Sequence, residues 1–494
     1  MLISGIVSVL ISVISFYFSA VLIVFALLFI LLIVFLIIKR PKSVYILVSF
    51  FLLLSVTATL LTLSKAQKLS SLENQQTHAI FIVTDISYTK NNYHIADIKI
   101  RESDVLSKNT KLSAKFYEGY LEIGDCISGE LKLEPLAKEY KKENYSKGIY
   151  LQASCRNIQK IPENNDKLLK AVDYLRSYIR KTLFTHMDYD EASIMLALCF
   201  GEKEYFTDEF YSLVTASGVN HVMAVSGMHL SILISFFLRL SEKFYYNRYI
   251  HAIISLFCVL LLSLLCGFTM SIIRAGVMYI ITAIGLLLKR NPVSENTLGC
   301  AVFLILLFYP FAIFSLAFVL SSLSTFGILS IAQPILRYLS DIKIFKNRLF
   351  NYTVSNILIS VSATIMVLPA LILKFGFFSV LGIITTFLLA APVTAVIWLC
   401  VTALIINTIF PLFADIIFFI CEMGLKYIKF IIDFFGNLSF SVLETPKYTA
   451  IAVFVFIIVI FYLLLACKKR IDMLKLKAVQ KKIIKEGGRK LKWQ

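Results

Sequence analysis

Charge is scarce in this chain. Of 494 residues only 16% are charged and 58% are hydrophobic, with a mean hydropathy of +0.80. A soluble domain carries about a quarter charged residues, so most segments here must face lipid or one another. Metal-ligand patterns are missing. The six histidines, His78, His94, His186, His221, His229 and His251, form no HxHxD or HExxH arrangement. Metal-assisted hydrolysis needs such clusters. No GxxxxGK[ST] run is present to cradle a nucleotide. These absences argue against an ATPase or a metal hydrolase. No catalytic residue, metal or cofactor is expected, and the chain is not expected to be an enzyme. The first apolar run, Leu2 to Ile38, has neither a charge nor a small-residue cleavage site. It is too long for a signal peptide and long enough for two short spans. Seven of the nine cysteines lie in or beside apolar segments, where Cys commonly acts as a small hydrophobe.

What is present is a series of apolar runs interrupted once. Three spans open the chain, about Leu2–Tyr17, Ala20–Ile38 and Val44–Leu63. Nine more follow: Val222–Leu238, Ile250–Leu265, Ser271–Leu288, Thr297–Phe308, Phe311–Ile331, Tyr352–Leu373, Val393–Ile409, Leu412–Phe435 and Tyr448–Leu465. Phe377–Ala391 is expected to dip into the membrane and return. Between the two series, residues 66–165 have the composition of a soluble domain and alternate as strands. These are His78–Tyr88, Tyr93–Arg101, Lys111–Tyr117, Asp125–Leu133 and Gly148–Ile158. Five strands in this length fit a small barrel of the OB type, with a five-stranded sandwich as the alternative. The expected fold is an α-helical polytopic membrane protein of about 11–13 membrane segments with an inserted OB-like β-barrel.

Basic residues orient the chain. Lys39, Arg40 and Lys42 assign the second loop to the cytosol, and eleven Lys and Arg after Ala466 do the same for the tail. Both termini are then cytosolic, the barrel is extracytoplasmic, and the location is the plasma membrane. The expected divisions are membrane helices over 1–65, the barrel over 66–165 and interfacial helices over 166–220. A membrane domain over 221–467 and a basic tail over 468–494 complete the chain. An amphipathic helix, Asp166–Phe184, is suited to the lipid interface. Cys126 and Cys155 fall on neighbouring expected strands in an oxidising compartment, where a disulfide is expected between them.

The stretch Thr215–Ser231 gathers helix breakers and hydrogen-bonding side chains at the mouth of a span. Gly218 and Gly227 can interrupt a helix, and Ser226 can satisfy the freed backbone groups. His221 and His229 are ionisable residues of the kind that face a water path or a bundle interior. The bland alternative is a kinked helix with satisfied histidines. Arg274, four places into an apolar span, either snorkels to the interface or points into a polar path. Its fork suits phosphate oxygens. Ser226 with His229 also raises an intramembrane serine protease as a remote alternative.

His221-Val-Met-Ala-Val-Ser226-Gly227-Met-His229-Leu resembles the H-L-L-A-[IV]-S-G-L-H signature of the ComEC competence family, polytopic channels for transformation. The resemblance extends to Ala197–Glu202, Ala216–Gly218, Gly267–Ala275, Leu368-Pro369 and Phe375–Ser379, and in the outer domain to Gly124-Asp125 and Asn144–Ile149. It implies a channel passing single-stranded DNA into the cytosol, with His221, Ser226, Gly227, His229 and Arg274 along the path. Membrane lipids, a DNA receptor, a cytosolic translocase ATPase, a separate nuclease and a second copy of the chain are the implied partners. The chain departs from the family in three ways. It reads as a form without the C-terminal metallo-β-lactamase-like domain that many members carry. Val319 and Thr364 stand where the family has Gln, and Phe387 stands where Asn is expected. A transporter of another solute or of lipid is the alternative class, although no internal repeat supports it. If the barrel meets DNA first, Lys111, Lys115, Phe116, Tyr117 and Tyr120 are its expected contacts.

Overall fold

A computed structural model describes residues 42–88, 94–117, 121–138, 140–162, 165–242, 248–290, 293–340, 347–438, 441–446, 448–457 and 459. The first two expected spans, Tyr120 and the basic tail lie outside these residues. Contacts divide the chain into two compact units, Met1–Ser322 with Ile384–Leu438, and Leu323–Ile383 with Ser439–Gln494.

In the first unit, helix α1 (Lys42–Ser70) contains the expected third span and leads into strands β1 (Gln76–Tyr88), β2 (His94–Ser103), β3 (Lys111–Phe116) and β4 (Cys126–Glu134). A short helix α2 (Lys141–Ser146) separates these from β5 (Gln152–Lys160). The strands close into a barrel of order β1-β2-β3-β5-β4, with β3 parallel to β5 and every other pair antiparallel. Closure leaves no sheet edge to pair with another chain. Alternation selects the core: Ala96, Ile98 and Ile100 on β2, Leu112, Ala114 and Phe116 on β3, and Ile127, Leu131 and Leu133 on β4 are fully buried. Each large apolar side chain removed from water contributes about 1.5–3 kcal/mol.

Gly124 and Asp125 tie this barrel to the next helix, α3 (Lys167–His186). Gly124 takes φ +87°, and a Cβ there would stand 2.9 Å from the Lys170 nitrogen. The Asp166 N–H donates to the Gly124 carbonyl at 3.0 Å, while the Asp166 carboxylate caps α3 by accepting from Leu168 and Leu169. Asp125 is buried and meets Lys170 at 2.6 Å and Lys160 at 2.9 Å. Burial alone would raise its pKa. The lysine hydrogen bonds and the Glu122 N–H outweigh burial and hold the carboxyl below its ordinary value. A depressed carboxyl contributes stability that is present above the unfolded pKa of about 3.9 and lost as pH falls through the folded value. Asp125→Asn is therefore expected to cost the barrel about 2 kcal/mol near neutral pH and to remove this acid dependence. Hydrogen exchange at the β4 amides, followed against pH in the intact protein, measures both effects.

Helix α4 (Tyr189–Phe200) ends at Gly201, whose N–H donates to the Ala197 carbonyl and whose φ of 78° turns the chain out of the helix. Helix α5 (Asp208–Ala216), capped by Thr207, precedes a run of apolar helices. These are α6 (Gly227–Glu242), α7 (Arg248–Leu265), α8 (Met270–Leu287) and α9 (Ser294–Phe308). A 3-10 turn, Pro310–Phe314, then leads into α10 (Leu316–Gly327). The expected span beginning at Phe311 is thus corrected. Phe311 is 1% exposed and joins the barrel core, its ring 5.6 Å from Tyr145 and 6.4 Å from Tyr150. Burying that ring docks the barrel on the helices of the same unit.

The second unit holds α11 (Gln333–Leu339) and α12 (Arg348–Phe375). Its β6 (Phe377–Ser379) pairs antiparallel with β7 (Val442–Glu444). Helix α13 (Gly382–Asn407) runs unbroken through Pro392. The expected dip over Phe377–Ala391 is therefore replaced by a two-stranded ladder and the first turns of one long helix. Helix α14 (Pro411–Gly436) completes the first unit. Residues from α4, α13 and α14, among them Ile194, Leu198, Val396, Cys400, Phe418 and Leu425, form its largest apolar cluster.

Among the described residues four helices are long and apolar enough to cross a membrane: Met270–Leu287, Leu316–Leu339, Phe350–Phe375 and Gly382–Asn407. Gly227–Ser241, Tyr249–Leu265 and Ser294–Phe308 are shorter apolar helices. Helix α14 carries Asp415, Glu422, Lys426, Lys429 and Asp433, and these charges distinguish it from the four. Most of them are paired: Asp415 with His186, Lys426 with Asp188 and Glu422, and Lys429 with Asp190. Asp188, Glu191 and Glu422 also bring carboxylate oxygens within 4.8 Å of one another. The Lys426 ammonium bonds two of the three and supplies the cation that such a group needs.

Candidate functional site at the start of α6

Between α5 and α6 the backbone is irregular. Ser217 and Gly218 close α5, the latter at φ 78°, and Val222 and Met223 turn back onto the Val219 carbonyl. Asn220 is held from two sides, its carbonyl 3.1 Å from Lys203 Nζ and its amide donating to Thr215 Oγ1 at 2.8 Å. Val222 and Met223 are buried, whereas His221 is exposed on the same loop. The expected span from Val222 therefore starts as a loop and turns helical at Gly227.

Ser226 caps that helix. Its hydroxyl accepts from the Met228 N–H at 3.2 Å. The Ser226 N–H in turn donates to His229 Nδ1 at 3.2 Å. The pair is a variant of the capping box, with the hydroxyl on the second rather than the third helical N–H and His at the third position, where Glu or Gln usually stands. Because an amide N–H only donates, Nδ1 presents its lone pair and the ring proton sits on Nε2. His229 is 3% exposed, and Nε2 has no hydrogen-bond partner among the described residues. A buried donor left unpaired costs about 1–3 kcal/mol, which marks this nitrogen as a place where a ligand or water would be welcome.

Gly227 brings a second helix against the cap. A Cβ there would stand 3.0 Å from Arg274 Nη2 and 3.1 Å from Ala275 Cβ. Arg274 is 5% exposed, and its Nη1 also reaches Met278 Sδ at 3.7 Å. Snorkelling to an interface is thus corrected: the guanidinium points into protein, at the first turn of α6. The positive end of a helix and a guanidinium reinforce each other's field, so this spot favours an anion.

The structure brings Ser226, Gly227, His229 and Arg274 together and leaves His221 on the preceding loop. It adds residues that spacing did not single out. Tyr279 donates to Ser231 Oγ at 2.8 Å, and Ser231 donates to the Gly227 carbonyl at 2.8 Å, extending the α6–α8 contact. Ser271 donates to Ser321 Oγ at 3.0 Å, joining α8 to α10. Trp398 of α13 donates to the Ile232 carbonyl at 3.1 Å. A polar side chain on an apolar helix was the available signal in each case.

On the barrel, Phe116 is fully buried, which corrects its expected role as a stacking platform. It shares the inward parity of Leu112 and Ala114. Tyr117 is 53% exposed, and Lys111 sits 5.9 Å over the Tyr309 ring. Asp97 on β2 stands opposite Ser113 of β3, and burial, opposed by Lys147 and Lys111, raises its pKa. Cys126 and Cys155 are not brought together: Cys155 stands opposite Leu131, and both thiols are free. Five residues along a strand span about 17 Å, beyond the reach of a disulfide. Burial pushes the Cys155 thiol up to about 12, so the reactive thiolate is scarce.

ComE operon protein 3 of Bacillus subtilis (strain 168) is 24% identical over 340 residues, covering 68% of this chain and 42% of that protein. This chain thus spans less than half of that relative's length. No solved structure matches. The competence protein family matches residues 198–470, a stretch that contains the capped start of α6 and Arg274. With more than half of its length in that match, the chain belongs to the competence protein family.

Proposed function

We propose that this chain is a plasma-membrane channel that passes one strand of incoming DNA to the cytosol during natural transformation. Family membership supports a role in DNA uptake. The observation that carries the channel reading is the junction of Arg274, Gly227 and the capped start of α6. There an electropositive spot and an unpaired Nε2–H are set among apolar helices. Polar groups and irregular backbone are tolerated at membrane depth where protein buries them or where they line a wet path. A phosphate chain is an anion that such a spot would attract.

In this reading the closed five-stranded barrel is an OB-like domain outside the membrane, the termini are cytosolic, and a receptor, a translocase ATPase and a nuclease act alongside. Lipid and a second copy of the chain complete the partner set. The solute-transporter alternative lacks a comparable observation. The protease alternative rests on Ser226 Oγ, 3.2 Å from His229 Nδ1. That hydroxyl is engaged in capping, and the ring presents Nδ1 rather than Nε2, which supports a structural role for the pair and a non-enzymatic chain. The test uses cells in which this chain is the only copy. Doubly labelled duplex DNA is expected to deliver one strand to the cytosol, and cells without the chain to retain DNA only at the surface. Equal delivery in both would end the proposal.

A further inference from the structure

Two irregular loops meet beside the capped start of α6. A Cβ at Gly201 would stand 3.5 Å from Val225 Cγ2 and 3.7 Å from the Val225 nitrogen. Two residues on, Lys203 Nζ donates to the Asn220 carbonyl at 3.1 Å and to Asn220 Oδ1 at 3.2 Å. The loop after α4 therefore runs alongside the loop that leads to Ser226, in the opposite direction. His221, which is exposed, follows Asn220 directly.

Lys203 is a cation without a countercharge. Its neighbour Glu202 is taken by Arg180, whose Nη2 donates to the two carboxylate oxygens at 2.9 and 3.0 Å. Glu204, on the other side, is exposed, and among the described residues Lys203 forms no ion pair. The ionisable groups around it are thus Glu204 on its own loop, the Arg180–Glu202 pair, and His221 on the facing loop. An ammonium carries three N–H donors. Asn220 takes two, and the third has no hydrogen-bond partner among the described residues. Lys203 is half-buried, and burial pulls its pKa down to about 8. Holding Asn220 in place needs donors but no charge, and a glutamine amide would serve. An unpaired ammonium in a cleft does something more, because its field draws anions.

We propose that Lys203 is a phosphate-contacting residue of the transport path: its third N–H, presented beside His221 from the loop after α4, takes a phosphodiester oxygen of the strand passing the α6 start. This contact rests on the DNA reading above and adds to Arg274 a second cation, from a loop whose sequence pattern did not single it out.

The test uses the intact chain in nanodiscs and a fluorescent thymidine oligonucleotide of about 20 nucleotides. Lys203→Gln keeps a donor for Asn220 and loses the charge. It is expected to flatten the dependence of log Kd on log salt by about 0.7, and so to weaken binding about fivefold at 0.1 M salt, as loss of one phosphate contact predicts. Lys203→Arg keeps the charge, with a pKa of about 12.5 or above. Between pH 7 and 9 the parent's Kd is expected to rise towards that of Lys203→Gln as the ammonium loses its proton, while Lys203→Arg stays flat. A lysine that only pins Asn220 moves neither readout, since the neutral amine still donates. If Lys203→Gln does not accumulate, the pH profile of Lys203→Arg against the parent decides alone. If the parent binds the strand and the variants share its salt slope and its pH profile, Lys203 is a structural pin and the DNA reading stands. If the parent chain binds no strand at all, both fall.

Discussion

Gly227→Leu is expected to abolish DNA uptake per folded molecule and to reduce the amount of protein in the membrane. The missing side chain lets the Arg274 guanidinium and Ala275 close on the first turn of α6. A Cβ alone would force a shift of a few tenths of an ångström, which the end of a long side chain can absorb. The rest of a leucine has nowhere to go except into the guanidinium's position or between α6 and α8. Overpacking of this kind costs about 1–3 kcal/mol. It also pushes the buried cation away from the helix end, which removes the electropositive spot. Gly227→Ala is the graded control and is expected to keep most of the protein and part of the uptake. The measurement is internalised label normalised to folded protein, with surface-bound DNA scored separately. Normal uptake per molecule in Gly227→Leu would reduce the junction to a packing contact.

His229 separates capping from transport. His229→Ala removes the acceptor for the Ser226 N–H and leaves a cavity at a position only 3% exposed. Loss of the cap bond and of the ring together is expected to cost about 2–4 kcal/mol, enough to lower the amount of protein severely. His229→Gln is the informative partner, because Gln at the third helical position can take the same N–H in a capping box. It restores the cap without the ring nitrogen that lies buried on the far side. The expected result is near-normal protein in the membrane and low uptake per molecule. Full uptake with Gln would assign the histidine to structure alone.

The barrel strands and the amphipathic helix that begins at Asp166 were legible because each depends on neighbours in sequence. Alternation picks the buried face, a carboxylate before an amphipathic run caps it, and glycine alone takes a left-handed φ cheaply. The same parity rule, applied to β3, would have sent Phe116 inward with Leu112 and Ala114. Its chemistry suggested a platform, but its register decided otherwise. The break before Gly227 was legible for the same local reason. The partner that fills the space beside it was not.

Composition and local pattern therefore determined that the chain is mostly apolar helix with one inserted β domain, and that the stretch around Ser226-Gly227 is irregular. Tertiary structure decided which long-range partners meet. It took Phe311 out of an apparent span and buried it with Tyr145 and Tyr150, because an aromatic ring gains more in a core than at a helix start. It ran α13 straight through Pro392 and set Cys155 opposite Leu131 rather than Cys126. It turned Arg274 inward onto Gly227. An apolar segment reads the same whether its neighbour is lipid or protein, and strand register is a property of the pair, so these contacts could be chosen only when the whole chain packed.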